Sequence, residues 1–167
     1  MAVNISHRQL KLANLVDSVH SALQHSGLPA ECLELEITES LLMLDVDRAI
    51  ETVAKLKSLG VTIALDDFGT GYSSLSYLQK FPIDHLKIDK SFIQHIDSRP
   101  GDVAITQAIV ALSHGLGIRV IAEGVETRAQ LDYLTGIGCH EAQGFLLSRP
   151  VEAATLLDTL TGRAPTH

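Results

Sequence analysis

One physical unit recurs along this chain although the residues themselves do not repeat. An amphipathic segment with apolar residues at helical spacing ends in glycine, and a short β-prone run follows. Leu12, Leu15, Val16, Val19 and Leu23 form one stripe closed by Gly27; Ile50, Val53, Leu56 and Leu59 form the next, closed by Gly60. Ile105, Ile109, Leu112 and Leu116 precede Gly117, and Leu131, Leu134 and Ile137 precede Gly138. Glycine suits these points because the residue just past a helix end takes a left-handed backbone that side chains disfavour. The β-prone runs are AVNIS, LELEIT, VTIALDD, HLKIDKSFI, RVIAEGV and HEAQGFLLS, so six strands are expected to alternate with at least five helices.

Strands that alternate with helices build a parallel sheet, either open and doubly wound or closed into a (β/α) barrel. The positions of the polar residues favour the barrel. Asn4, Glu36, Asp66 with Asp67, Lys87 with Asp89, Glu123 and Gln143 all lie at or near the C-terminal end of a run. An open sheet gathers its ligand at one switch point, whereas a barrel mouth draws polar residues from the ends of many strands. Alternation agrees in three runs: Glu34, Glu36 and Thr38 share a face, as do Thr62, Ala64 and Asp66, and Lys87 with Asp89. Leu35 and Ile37, Ile63 and Leu65, and Leu86 and Ile88 fill the opposite faces. RVIAEGV does not separate its faces in this way.

The 167 residues, 46% hydrophobic and 20% charged, suffice for one domain with a sizeable core. A net charge of -7 with no long Lys/Arg cluster excludes a nucleic-acid surface built on phosphate contacts and leaves a small molecule or a protein as partner. No run approaches the roughly 18 apolar residues of a membrane span, so no membrane contact by this segment and a cytoplasmic location are expected, although a parent protein could be anchored. Cys32 and Cys139 have no metal-ligand spacing and are expected to be reduced core residues. Residues 162–167 are expected to form a flexible tail.

Several carboxylates converging at a barrel mouth repel one another unless a cation neutralises them, and hard oxygen ligands suit Mg²⁺ or Mn²⁺ better than zinc. Adjacent carboxylates such as Asp66 and Asp67 can splay to serve two ions, and Lys87 could hold a water or offset phosphate charge. Taken singly, an acidic residue at a strand end is more often a helix cap, and Glu39, Asp45 and Asp47 could simply cap or solvate the next helix. His85 and His140, at strand starts, are expected in the core or at the opposite end from the mouth. The hydroxyl-rich loop after Asp67 holds no GxSxG elbow, which argues against a serine nucleophile.

The runs VNIS, ELEITES, IALDDFGTGYSSLSYLQKFPIDHLKIDKSFI, VIAEGVET and AQGFLLSRPV resemble, in order and spacing, the EAL domain family of bacterial cyclic-di-GMP phosphodiesterases. The resemblance covers nearly the whole chain, as a partial EAL domain over residues 1–161. It implies a TIM-like barrel and metal-dependent opening of cyclic di-GMP to linear pGpG with Mg²⁺ or Mn²⁺ at a two-metal site. On the matching positions it implies that Asn4, Glu36 and Asp66 hold one metal and Asp67 the second. Lys87 would contact the bridging water or the phosphate, and Glu123 a metal-associated water, or it would act as general base. Gln143 would support the water shell, Glu39 would anchor the loop after DDFG, and Glu126 is a weaker supporting candidate. The family's namesake Glu-Ala-Leu strand is not matched, so about six of eight strands are expected, with a metal ligand and a guanine-binding arginine outside the chain. An incomplete barrel has two unpaired edges, so weak or absent activity alone, a homodimer, or dependence on a longer parent with a sensory or GGDEF-type domain is expected. The alternative is a non-catalytic module that senses cyclic di-GMP or binds a protein.

Overall fold

The computed structural model describes residues 1–70, 78–153, 155 and 156. Its strands β1 (Ala2–Asn4), β2 (Glu34–Thr38), β3 (Thr62–Phe68), β4 (His85–Ile88), β5 (Arg119–Ala122) and β6 (Glu141–Ala142) form one parallel sheet in chain order. Sequential parallel neighbours require a crossover each time, and helices supply it: Leu15–Ser26, Val46–Ser58, Pro100–Leu116 and Arg128–Gly136. Gly27 and Gly117 cap two of them in the left-handed conformation. Among the described residues β1 and β6 each have a strand neighbour on one side only, so the sheet is open.

The core lies between sheet and helices. Leu35, Ile37, Ile63, Leu65, Leu86, Ile88 and Val120 face it, each at 2% exposure or less, and meet Val53 and Leu56 of the Val46–Ser58 helix and Val110 of the Pro100–Leu116 helix. Each fully buried aliphatic side chain contributes about 1.5–3 kcal/mol, so this continuous layer fixes the register of the whole sheet. The register in turn fixes the other face, where Glu36 stands beside Asn4 of β1 and Ala64 of β3.

Several boundaries differ from the sequence reading. HLKIDKSFI is not one strand: β4 ends at Ile88, and Asp89 caps the short helix Lys90–Ile93 by accepting the Ser91 N–H at 2.9 Å. Leu12 precedes its helix and is 48% exposed. Cys32 is exposed rather than core, because it belongs to the surface turn Ala30–Cys32 and burial starts one residue later at Leu33. Cys139 is half-buried, and burial raises its thiol pKa. Asp45 is a cap, accepting from the Arg48 N–H. The expected tail, residues 162–167, lies outside the described residues, as does the stretch 71–77 of the hydroxyl-rich loop. No helix among the described residues is long and apolar enough to cross a membrane.

Candidate active site

Lys87 is the hub of the strand ends. It projects from β4 on the face opposite Leu86 and Ile88, is 5% exposed, and brings its ammonium to three carboxylates. Nζ lies 2.7 Å from Glu36 Oε1 of β2, 3.3 Å from Asp66 Oδ1 of β3 and 2.6 Å from Glu123 Oε1, just beyond β5. Glu123 is held there because the β4–β5 ladder continues past the strand end, its N–H donating to the Ile88 carbonyl at 3.2 Å. Burial alone lowers the ammonium's pKa, but the hydrogen bonds to Glu123 and Glu36 overcome it and the net shift is upward. Lys87 is therefore a fixed cation. Burial raises the Glu123 carboxyl's pKa, the Lys87 hydrogen bond opposes this, and Asp66 and Glu36 reinforce it. One ammonium against three carboxylates leaves the cluster with surplus negative charge.

A β-bulge brings the second aspartate to the same mouth. Leu65 pairs with Leu86, but the next partners are Phe68 and Ile88, so β3 spends one more residue than β4 between the two pairs. Strict alternation would send Asp66 and Asp67 to opposite faces. Asp67 instead takes φ 56°, a left-handed value that is unusual for a residue with a side chain, and its N–H donates to Asp66 Oδ1 at 3.0 Å. Phe68 then returns to the core at 4% exposure. Burial raises the Asp67 carboxyl's pKa, and the Asp66 and Asp89 charges add to this, while Lys87 and Lys90 oppose it.

Glu39 lies apart from the Lys87 cluster. It is 2% exposed and accepts the Gly69 N–H at 3.1 Å, tying the residue after the bulge to the start of the helix Glu39–Leu42. Gly69 has φ 97°, and a Cβ there would sit 2.9 Å from the Phe92 ring. Asn4 is exposed at the end of edge strand β1, beside Glu36 in the ladder. Gln143 and Glu126 are also exposed, and they line, with Glu123, Lys90 and Phe145, a cavity of about 250 Å³. The structure thus joins Glu36, Asp66, Lys87 and Glu123 directly and sets Asn4 at the end of β1, Gln143 just past β6 and Glu126 in the segment between β5 and the Arg128–Gly136 helix. His85 stands at the opposite end of the sheet from this mouth, paired with Glu34. His140 accepts the Val120 N–H through Nδ1 at 3.0 Å.

The donor set of Asn4, Glu36, Asp66 and Asp67 is all oxygen, on three adjacent strand ends, which fits a hard divalent cation in chemistry and in charge. Among the described residues no three acidic, histidine or cysteine side chains already converge as ligands, because the carboxylates close on the Lys87 ammonium instead. Lys90, to which the sequence reading gives no role, packs against Gly124, whose lack of a side chain makes room for it.

Comparison with known proteins places this geometry in a family. The EAL domain profile matches residues 1–150. NbdA of Pseudomonas aeruginosa, a cyclic di-GMP phosphodiesterase, is 48% identical over 160 residues, covering 96% of this chain and 20% of NbdA. MucR of the same organism, a bifunctional diguanylate cyclase and cyclic di-GMP phosphodiesterase, is 49% identical over 94% of this chain and 23% of its own length. The chain therefore spans about a fifth of these relatives. The solved MucR phosphodiesterase in complex with c-di-GMP superposes with a TM-score of 0.90 at 49% identity, over 93% of this chain and 63% of that one. Klebsiella pneumoniae BlrP1, solved as a manganese and cyclic-di-GMP complex, gives a TM-score of 0.82 at 33% identity, over 89% of this chain and 38% of that one. These neighbours are TIM-like barrels, and the six parallel strands here follow the same α/β architecture as an open sheet. From the strand ends through the bulged aspartate pair to the sequence match over residues 1–150, the chain belongs to the EAL domain family.

Proposed function

We propose that this chain carries the metal and phosphate centre of a cyclic-di-GMP phosphodiesterase, which opens the cyclic dinucleotide to linear pGpG. The observation that carries this reading is the buried Lys87 ammonium held among Glu36, Asp66 and Glu123 at adjoining strand ends. Asn4, Glu36, Asp66 and Asp67 would hold Mg²⁺ or Mn²⁺, which when bound supplies Lewis acidity towards a water and the phosphate oxygens. Lys87 orients the attacking water and balances charge on the phosphate. Glu123, with its raised carboxyl pKa, takes the proton as water oxygen bonds to phosphorus and one ribose–oxygen bond to phosphorus breaks. The freed ribose oxygen takes up a proton as its hydroxyl. Glu39 positions the loop after the bulge through Gly69, while Gln143 and Glu126 support the polar margin.

Because β1 and β6 each lack a strand neighbour on one side among the described residues, the mouth is walled on one side, and the chain alone is a weak hydrolase. A homodimer, or a diguanylate cyclase or sensory module in the same longer polypeptide, is the partner this reading carries. Incubating the chain with cyclic di-GMP and Mn²⁺ and separating the products by chromatography tests it. Slow pGpG formation that a chelator and Asp66→Asn both abolish is the expected result. Binding of cyclic di-GMP with no pGpG at any protein concentration would instead make the chain a non-catalytic sensor, the reading that the open sheet favours second.

A further inference from the structure

Lys87, held among three carboxylates, is a single ammonium at the centre where one phosphate would be cleaved, and it leaves a second phosphate without a counter-ion. Cyclic di-GMP carries two phosphodiesters, each a monoanion, and only one is cleaved at a time. The mouth has a second cation. Lys90 opens the short helix after β4, is exposed, and makes no ion pair with any described residue. It lines the cavity of about 250 Å³ whose wall also holds Glu123, Glu126, Gln143 and Phe145. Arg149 lies nearby but is seated over the Phe145 ring, 4.7 Å from its centroid.

The backbone is shaped around Lys90. Gly124 follows Glu123 with φ 69°, and a Cβ at Gly124 would come within 2.5 Å of Lys90 Cβ. Without a side chain at position 124, the Lys90 stem can lie against the segment that carries Glu123, and its ammonium stays free for the cavity. Gly144 allows a similar approach on the other wall, where a Cβ would meet the Val125 carbonyl oxygen at 2.1 Å.

We propose that Lys90 is the counter-ion for the second, uncleaved phosphodiester of the substrate, received in this cavity beside Glu123. The inference rests on the phosphodiesterase reading and adds a residue that selects for a two-phosphate ligand. It is tested by calorimetric titration of the chain, loaded with calcium to hold ligand without turnover, with cyclic di-GMP and with linear GpG. GpG has the same two bases but one phosphodiester. Lys90→Gln is expected to weaken cyclic di-GMP binding about tenfold, the loss of one charge-assisted contact, while leaving GpG affinity unchanged. Lys90→Arg is expected to restore binding, and raising the salt concentration to shrink the difference between wild type and Lys90→Gln. Unchanged cyclic di-GMP binding in Lys90→Gln, or equal weakening for both ligands, would overturn the assignment. A wild-type chain that binds neither ligand overturns the phosphodiesterase reading itself, and the role of Lys90 with it.

Discussion

Strands β2 and β4 carry a polar pair near each end of one face, and the two ends are built differently. At the far end from the mouth Glu34 pairs with His85, one acid to one base, each side chain 19% exposed. Two residues along both strands, Glu36 pairs with Lys87, but Asp66 and Glu123 join them. The first pair is complete in itself. The second is overloaded with negative charge, and burial makes that surplus costly because water screens it poorly. A fold gains nothing in stability from such an excess, so its use lies in what it attracts.

The sharpest way to break this contrast is to remove one charged partner from each end. Lys87→Met leaves three carboxylates facing one another without a counter-ion, and unfolding by urea is expected to show a loss of about 3 kcal/mol. In the same protein pGpG formation is expected to fall at least about a hundredfold, the scale for losing one preorganised charge at a reacting group. Glu34→Gln keeps a hydrogen-bonding side chain beside His85 and is expected to cost about 1 kcal/mol, with product formation unchanged. Equal losses at the two ends would show that the mouth is an ordinary structural ion pair.

The two ends were not equally legible in the sequence. The strands, the helices that link them and the polar residues at strand ends follow from periodicity and closing glycines, because burial of one face leaves a repeating signature. What alternation cannot convey is a departure from itself. The bulge at Asp66 and Asp67 turns two adjacent aspartates towards one mouth, and no local residue choice signals it, since neither is a glycine. The fourfold meeting at Lys87 depends on how three strands and the segment after β5 are staggered, which is a property of the sheet rather than of any run. HLKIDKSFI misleads for a local reason: Asp89 is both the polar end of a strand and the cap of the next helix, and the cap decides.

Divalent metal sharpens the same contrast, with a smaller effect. A cation that binds only the folded mouth stabilises the chain by about 2.7 kcal/mol at a hundred times its dissociation constant, whatever its contacts. For a chain of this size each kcal/mol moves the melting temperature by about 2–4 °C. Mn²⁺ is expected to raise the melting temperature of wild type and Glu34→Gln alike and to have little effect on Asp66→Asn. A shift that survives Asp66→Asn but disappears in Glu34→Gln would place the cation at the wrong end of the sheet.

Proton linkage has the smallest expected effect, and its sign separates the groups at the mouth. Burial places the Glu123 carboxyl above its ordinary 4.5, so the folded chain holds that proton more firmly than the unfolded one. Its effect is therefore to lower stability as pH rises from 4.5 through the raised folded value, and Asp67, raised from 3.8 by burial and Asp66, acts in the same direction. Lys87, raised from 10.5, contributes stability that is complete below 10.5 and is lost only as pH climbs through its folded value, so it is silent in the acid range. Thermal melts without metal, taken from pH 4.5 to neutrality, are expected to show a steeper decline for wild type than for Glu123→Gln, which has no proton to lose. Adding Mn²⁺ is expected to flatten the wild-type decline, because a cation favours the deprotonated carboxylates that burial disfavours. Parallel curves for wild type and Glu123→Gln would mean that Lys87 fully compensates Glu123, leaving the surplus charge on Asp66 and Asp67.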